Sequence, residues 1–517
     1  MTPTISKALN AGCCSNRADC GNCRPGGVGR RQFLAGMSVA PAAVALSQPV
    51  AAQTRDPERQ QPIQLPLKVQ PVLTYSVPTR REATSWRSWG ALQTEQDASE
   101  EKERIAKELA QMKTGADFPL EILPLAGVKT ADEAAAVAKA AHDVTLIYAA
   151  GGGANVLEAL TPPEKRNLIF LRHRSGPVYL WYEIVHPRLL RKTVDEYAHT
   201  GTGTEDVVVD SHAEVLYRLR ALYGLKNTMG KRIVAVGGPS GWGAGGRQAP
   251  DLARQIWKFD IQTVPYPDLA ERLKRARADD ALLKRCRAGA DAYLKQPRTS
   301  LETSKEFVER CFLLTEVFHD LLDEFHTDAM TINQCMGTIM GVSQTTACLP
   351  LSLLNDSGYM AFCESDFVVI PSGVLLHYVS GKPTFLNDPT YPHDGVVTMA
   401  HCTAPRKMDG KQTEPVRILT HFESDYGAAP KVAMRIGQKV TTVVPDFSVK
   451  KWTGFVGEVA GNPFMPICRS QVDVAIQGDT QKLVEEMRGF HWMLSYGEYL
   501  REVEYALKKN GIEWVKV

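Results

Sequence analysis

Ala131-Asp132-Glu133-Ala134-Ala135-Ala136-Val137-Ala138-Lys139-Ala140-Ala141-His142-Asp143-Val144-Thr145-Leu146-Ile147-Tyr148 decides the fold. Its first twelve residues have helical composition, with acids at the start and a base near the end. The last five form an apolar run that suits a strand buried on both faces. The same unit recurs on either side. Upstream stand Val72-Leu73-Thr74-Tyr75, a helical period over 95–113, and Leu120-Glu121-Ile122-Leu123. Downstream, 207–209 leads through a helix to Leu225 and the run 232–236; then come 261–264, a helix after Asp268, a long helical segment over 301–325, and the run 329–332. Strand and helix in alternation predict parallel sheets covered by helices. After Gly395 the apolar period becomes two, in 396–401, 416–422, 431–436, 440–444 and 472–476, with Gly, Pro and Asp between the runs. That is the pattern of an antiparallel sheet. A last amphipathic helix over 498–510 and a strand over 513–517 end the sequence. The expected architecture is α/β, with two Rossmann-like α/β domains carrying parallel sheets (69–236 and 237–390) and a C-terminal antiparallel β domain (391–517).

Two segments precede this pattern. Gly29-Arg30-Arg31-Gln32-Phe33-Leu34 opens a weakly apolar stretch to Leu46 that ends in Val50-Ala51-Ala52, a small-residue cleavage pattern. This order reads as a twin-arginine export signal, so 1–52 is expected to be a signal peptide with its preceding leader, and the mature protein to be periplasmic or extracellular. Residues 53–68 are Pro- and Gln-rich and read as a linker with too little apolar content to pack. Export after folding would let a metal site load in the cytoplasm, where zinc and copper compete less for its ligands.

The chain has 517 residues, with 60 basic against 58 acidic. This near-balance leaves no footprint for nucleic acid, and no apolar run approaches the eighteen or so residues that cross a bilayer. Neither nucleic-acid binding nor a membrane association after signal cleavage is expected. Of 11 cysteines, Cys13, Cys14, Cys20 and Cys23 lie in the leader. Cys286, Cys311, Cys335, Cys348, Cys363, Cys402 and Cys468 remain, an odd and scattered set that is no disulfide framework.

Several stretches invite a chemical reading. Gly151-Gly152-Gly153 and Gly237-Gly238-Pro239-Ser240-Gly241-Trp242-Gly243 each follow a strand, but neither matches a dinucleotide or phosphate-loop motif, and tight turns at strand ends explain them better. His319, Asp320, Asp323 and Glu324 look like metal ligands, yet the stripe Leu314, Val317, Phe318, Leu321, Leu322 places them on the outer face of a helix. In Cys363-Glu364-Ser365-Asp366 two carboxylates at i and i+2 follow an apolar run, where they either share a cleft or cap a helix.

The ordered set Cys363-Glu364-Ser365-Asp366, Phe385-Leu386-Asn387-Asp388, Met399-Ala400-His401-Cys402-Thr403-Ala404-Pro405, and Gly489-Phe490-His491-Trp492 followed by Ser495-Tyr496-Gly497-Glu498 resembles the L-fucose/L-arabinose isomerase family. The resemblance is densest over 328–405 and 430–517, and Ser85-Trp86-Arg87-Ser88-Trp89-Gly90 adds to it. It implies a homo-oligomeric enzyme that interconverts a small aldose and ketose with a divalent metal, usually manganese(II), held by two carboxylates and a histidine. Asp366 and His491 would be metal ligands and Glu364 a neighbouring or substitute ligand. Asp366 and Glu364 would move the proton through an enediol. Asn333, Gln334, His401, Trp86 and Trp89 would contact the sugar, while His401 reads equally as the plain end of a strand. One departure stands out. Where the resemblance places a second acid, just after the strand 329–332, the chain reads Asn333-Gln334-Cys335, and no Asp or Glu occurs between Asp328 and Asp356. A sugar-binding protein without turnover, or a lyase or epimerase acting on a modified sugar, are the alternatives this departure raises.

Overall fold

The computed structural model describes residues 62–179, 185, 189, 190 and 202–517. The export signal expected over 1–52 and most of the linker expected over 53–68 lie outside the described residues.

Six parallel strands make the first sheet: β1 (Leu67–Thr74), β2 (Leu120–Ile122), β3 (Ala126–Val128), β4 (Val144–Ala149), β5 (Arg166–Leu171) and β6 (Val207–Val209). The order is β2-β1-β4-β5-β6, and β3 continues the β2 edge alongside β1. Every residue of β4 is buried, as a strand covered on both faces requires. The helix Ala131–Lys139 before it starts at a capping box of Thr130 and Glu133, which satisfies backbone N–H groups at both residues.

The chain then adds β7 (Arg232–Val236), β8 (Asp260–Val264), β9 (Thr299–Leu301), β10 (Ala329–Ile332) and β11 (Met360–Phe362). Four of these form a second parallel sheet in the order β11-β10-β7-β8. Strand β7, expected to end the first α/β segment at 236, thus belongs to the second sheet. Alternation announces a strand but not its neighbours. The helix His212–Thr228, between β6 and β7, is buried around most of its surface, including Val215, Leu219, Leu222, Tyr223 and Leu225. Its Gly224 lies so close to the helix Ile370–Ser380 that a Cβ there would stand 2.5 Å from Val379.

The carboxyl-terminal third contains β12 (Phe385–Pro389), β13 (Val396–His401), β14 (Val416–Leu419), β15 (Ala429–Val432), β16 (Lys439–Pro445), β17 (Lys451–Gly461), β18 (Ser470–Gln477), β19 (Trp492–Tyr496) and β20 (Glu513–Lys516). Strands β16-β19-β12-β13-β18-β17 run antiparallel, and pairing of β16 with β17 closes them into a barrel-like sheet around Val440, Phe455, Val472, Val474, Trp492 and Leu494. Strand β20 pairs parallel to β17, while β14 and β15 leave the barrel and form a small sheet with β9. The antiparallel region therefore begins at β12, before Gly395, because a five-residue strand ending in Asp-Pro shows too little alternation to be read as one. His319, expected on an outer helix face, is buried with its ring edge-on to Tyr359.

Candidate metal centre

The site forms where the carboxyl ends of β7, β10 and β11 meet the rim of the barrel, the kind of crevice in which open α/β sheets take ligands. After β11 the chain makes a sharp turn in which Glu364 and Ser365 both adopt left-handed backbone, at φ 63° and 49°. Such conformations cost about 1 to 3 kcal/mol per residue and persist only where neighbours enforce them. Here the Thr331 hydroxyl accepts from Ser365 N–H at 3.1 Å, and Ser240, on the glycine-rich loop after β7, bonds Ser365 and Phe367 like a strand neighbour. The turn sends Glu364 toward the barrel and folds Asp366 inward.

Asp366 is 1% exposed and both its oxygens are engaged. Oδ1 accepts from Trp242 N–H at 3.1 Å and Val368 N–H at 3.0 Å, and Oδ2 lies 2.7 Å from His491 Nδ1. The glycine-rich loop after β7, read from sequence as a tight turn, is thus what holds this carboxylate.

Barrel register supplies the rest. Asn387 of β12 pairs with Trp492 of β19, so one further step sets Asp388 beside His491. On the other side Asp388 pairs with Ala400, next to His401 at the end of β13. His491 Nε2 stands 3.3 Å from Glu364 Oε2 and 3.1 Å from Asp388 Oδ1; His401 Nε2 stands 3.6 Å from Glu364 Oε1. Ligand atoms of Glu364, His401 and His491 all lie within 4.8 Å of one another. Trp242 and Phe490 stack at 4.1 Å, and both present ring planes edge-on to His491, forming an apolar wall.

Burial opposes charge on His491, but the carboxylates of Asp366, Asp388 and Glu364 overcome it and its pKa is pushed up to about 12. Burial likewise opposes charge on Glu364, and the adjacent imidazoles of His401 and His491 outweigh it and hold the carboxyl well below the usual range. His401 is raised despite its burial, chiefly through Glu364.

Two buried polar atoms here make no hydrogen bond, His491 Nε2 and Asp388 Oδ1. With Nδ1–H given to Asp366, a neutral His491 would aim an Nε2 lone pair at two carboxylates, and only a proton or a cation relieves that. The donor set of carboxylate oxygens and imidazole suits manganese(II). Adjacent ligands about 2.1 to 2.2 Å from one ion in an octahedron stand about 3 Å apart, close to the spacings at Nε2. The residues fit a divalent cation.

Of the residues singled out in the sequence, Glu364, Asp366, His401 and His491 come together. Asn333 and Gln334 end β10 nearby. Asn333 packs on Gly237 and its carbonyl accepts from the Tyr266 hydroxyl, whereas Gln334 is exposed and its Oε1 accepts from the Thr338 hydroxyl. Next to them, Cys335 has its sulfur within 4.8 Å of ligand atoms of Cys363 and Glu364. Trp86 and Trp89 lie on the loop after β1. Trp86 is half-buried beneath the Arg87 guanidinium and Trp89 is 52% exposed. Sequence reading assigned no role to Asp388 or to the Trp242–Phe490 wall. Asp388 stood in the ordered set of motifs, but its importance depends on a strand register that no local pattern records. No protein-family model matches this chain, and no curated protein is significantly similar to it in sequence.

Proposed function

We propose that this protein is a metal-dependent aldose–ketose isomerase of the L-fucose/L-arabinose isomerase kind, in which Glu364, Asp388 and His491 hold a divalent cation, manganese(II) by preference. The observation that carries this reading is the partnerless Nε2 of His491 between two carboxylates, with Asp366 fixing the other ring nitrogen. When bound, the cation would polarise the sugar carbonyl and its neighbouring hydroxyl. Glu364, with a side chain 21% exposed, is the most accessible carboxylate next to His491 after Asp388 and would also take a proton from the carbon beside the carbonyl. His401, steadied by Thr403 at 3.0 Å, faces Glu364 and would help return that proton to the former carbonyl carbon while the hydroxyl proton passes between the two sugar oxygens. Asp366 acts through His491 as a positioning residue, since its own oxygens are occupied. Asn333, Gln334 and the Trp242–Phe490 wall would meet sugar hydroxyls and a sugar face; roles for Trp86 and Trp89 rest on the family resemblance alone.

The two parallel sheets are read as two Rossmann-like domains, the second carrying the acidic turn. The twin-arginine pattern supports export to the periplasm or beyond in folded form, and the resemblance supports a homo-oligomer. Among the described residues no helix is long and apolar enough to cross a membrane.

Calorimetric titration with manganese(II), together with deuterium incorporation from heavy water into a panel of aldoses, tests the proposal. One ion per chain is expected, with binding lost in Glu364→Gln, Asp388→Asn and His491→Ala, and deuterium at the carbon beside the carbonyl. Full-affinity binding by Asp388→Asn would overturn the ligand assignment. Metal and sugar binding without exchange would make the protein a sugar binder rather than an isomerase.

A further inference from the structure

A second group of ligand atoms lies on the far side of His401 and contains mostly sulfur. Cys348, Cys402 and His421 are all buried, and their ligand atoms lie within 4.8 Å of one another. The Cys402 sulfur also meets the Cys468 thiol and the backbone N–H of Arg469. Four separate elements contribute. Cys348 begins the helix Cys348–Asp356, Cys402 follows β13, His421 follows β14, and Cys468 precedes β18.

The backbone is built to bring these residues together. Pairing of His401 with Ser470 places Cys402 opposite Arg469, with Cys468 adjacent. The Arg469 guanidinium bonds Thr420 twice, Nε to the carbonyl at 2.7 Å and Nη2 to the hydroxyl at 3.2 Å, which draws in the neighbouring His421. Gly427, at φ 70°, approaches so closely that a Cβ would stand 2.6 Å from Thr346 N, and Thr346 Oγ1 both donates to the Ala428 carbonyl and accepts from Ala428 N–H. The His421 loop is thereby clamped to the start of the Cys348 helix. Ser424 Oγ lies 3.1 Å from His421 Nδ1, which leaves Nε2 as the ring's ligand atom. This is the outer support that metal-bound histidines require.

We propose that Cys348, Cys402, Cys468 and His421 form a structural zinc(II) site. Three sulfurs and one imidazole are a closed tetrahedral set for this ion; sulfur ligands at about 2.3 Å from zinc stand about 3.7 Å apart, within the 4.8 Å that spans the ligand atoms of Cys348, Cys402 and His421, and Cys468 adjoins Cys402. Binding takes one proton from each of the three thiols and none from the neutral imidazole, so ion and ligands together carry one negative charge, and the Arg469 N–H bonds the Cys402 sulfur. With four protein ligands no position stays open for substrate. The ion's role is to pin the chain just after His401, so that this ring keeps its place opposite Glu364. The site does not depend on the isomerase reading, because it uses different residues and a different ligand chemistry.

The test uses the reduced, metal-free full chain in which Cys13, Cys14, Cys20 and Cys23 are replaced by serine, which removes the leader thiols. One equivalent of cobalt(II) is expected to give thiolate-to-cobalt charge-transfer absorption and the intense visible bands of a tetrahedral ion, both bleached by one equivalent of zinc(II). The other sulfurs near an ion-binding group are those of Cys335 and Cys363 beside Glu364, and the Cys335→Ser variant separates their contribution. Cys402→Ser should weaken binding about a hundredfold or more, Cys335→Ser should leave it unchanged, and His421→Cys should retain it with stronger charge transfer. Should Cys402→Ser fail to fold, alkylation mapping of the unaltered thiols decides, with zinc expected to protect Cys348, Cys402 and Cys468 but not Cys335. Absence of the charge-transfer band, its loss in Cys335→Ser rather than Cys402→Ser, protection by zinc of the wrong cysteines, or a Cys402–Cys468 disulfide in the exported protein would each overturn the proposal.

Discussion

His491 is a single side chain whose chemistry is set entirely by what surrounds it. One ring nitrogen is tied to Asp366, and the other faces Glu364 and Asp388, so the ring is held as a strong base, and under the proposed function it would be a ligand once the proton is displaced. Asp366→Asn should therefore lower manganese affinity by about 10- to 100-fold with an unchanged circular dichroism spectrum, because the ring loses the partner that fixes its tautomer. A proton held with a pKa of about 12 must leave Nε2 before a cation binds. Affinity is accordingly expected to rise with pH across the neutral range, with about one proton released per ion, as measured by titration in buffers of different ionisation enthalpy. Glu364, Asp366 and His491 are legible in sequence as residue types suited to a metal. Asp388 is not, since a lone acid near the end of a short strand has no local signature.

At the level of elements, the turn after β7 and the helix Ile370–Ser380 carry the clearest consequences. Gly237 has φ 77°, and a Cβ there would meet the Tyr266 ring at 2.6 Å. Gly237→Ala combines left-handed backbone with overpacking and should destabilise the protein by about 2 to 4 kcal/mol. It should also weaken manganese binding, because the same loop carries the Ser240 and Trp242 contacts to the acidic turn; urea unfolding and metal titration check both effects. All of Ile370–Ser380 is buried, and burial pushes the His377 pKa down to about 4. The sign follows from proton counting. Between about pH 6.5 and 4 the unfolded chain binds a proton at this residue that the folded chain refuses, so its contribution to stability is present above about 6.5 and is lost as pH falls through that window. The loss is on the order of 3 kcal/mol, and His377→Gln should flatten that part of a pH–stability curve. Periodicity made helices and strands visible where they were long, as at β4, but it could not show that the helix His212–Thr228 leads into a different sheet.

Across the whole molecule, the described residues belong to one compact unit, and a buried ion pair anchors its amino-terminal edge. Lys231, at the start of β7, pairs with Asp328, just before β10, and also donates to the Tyr378 hydroxyl at 2.6 Å. Asp328 Oδ2 accepts from Ile63 N–H at 2.6 Å, and Asn227 exchanges hydrogen bonds with the backbone of Leu65. The end of the expected linker is therefore fastened by polar bonds to distant side chains, which an apolar count of that segment could not reveal. Asp328→Ala leaves a buried ammonium unpaired and should cost about 3 to 5 kcal/mol, whereas Lys231→Met with Asp328→Leu should cost much less. Urea denaturation of the single and double variants measures the difference.

What the sequence determined by itself is local: parallel α/β alternation followed by antiparallel strands, the glycine turns, and the kinds of side chain able to hold a cation. Each follows from preferences of residues within a few positions of one another. Tertiary structure alone decided that β7 joins the second sheet, that β19 pairs with both β12 and β16, that Asp388 faces His491, and that Cys348, Cys402 and His421 converge. These depend on which strands pair and in what register. For Asp388 and His491 that choice is made by burial and hydrogen bonding between segments more than a hundred residues apart, and no local window contains it.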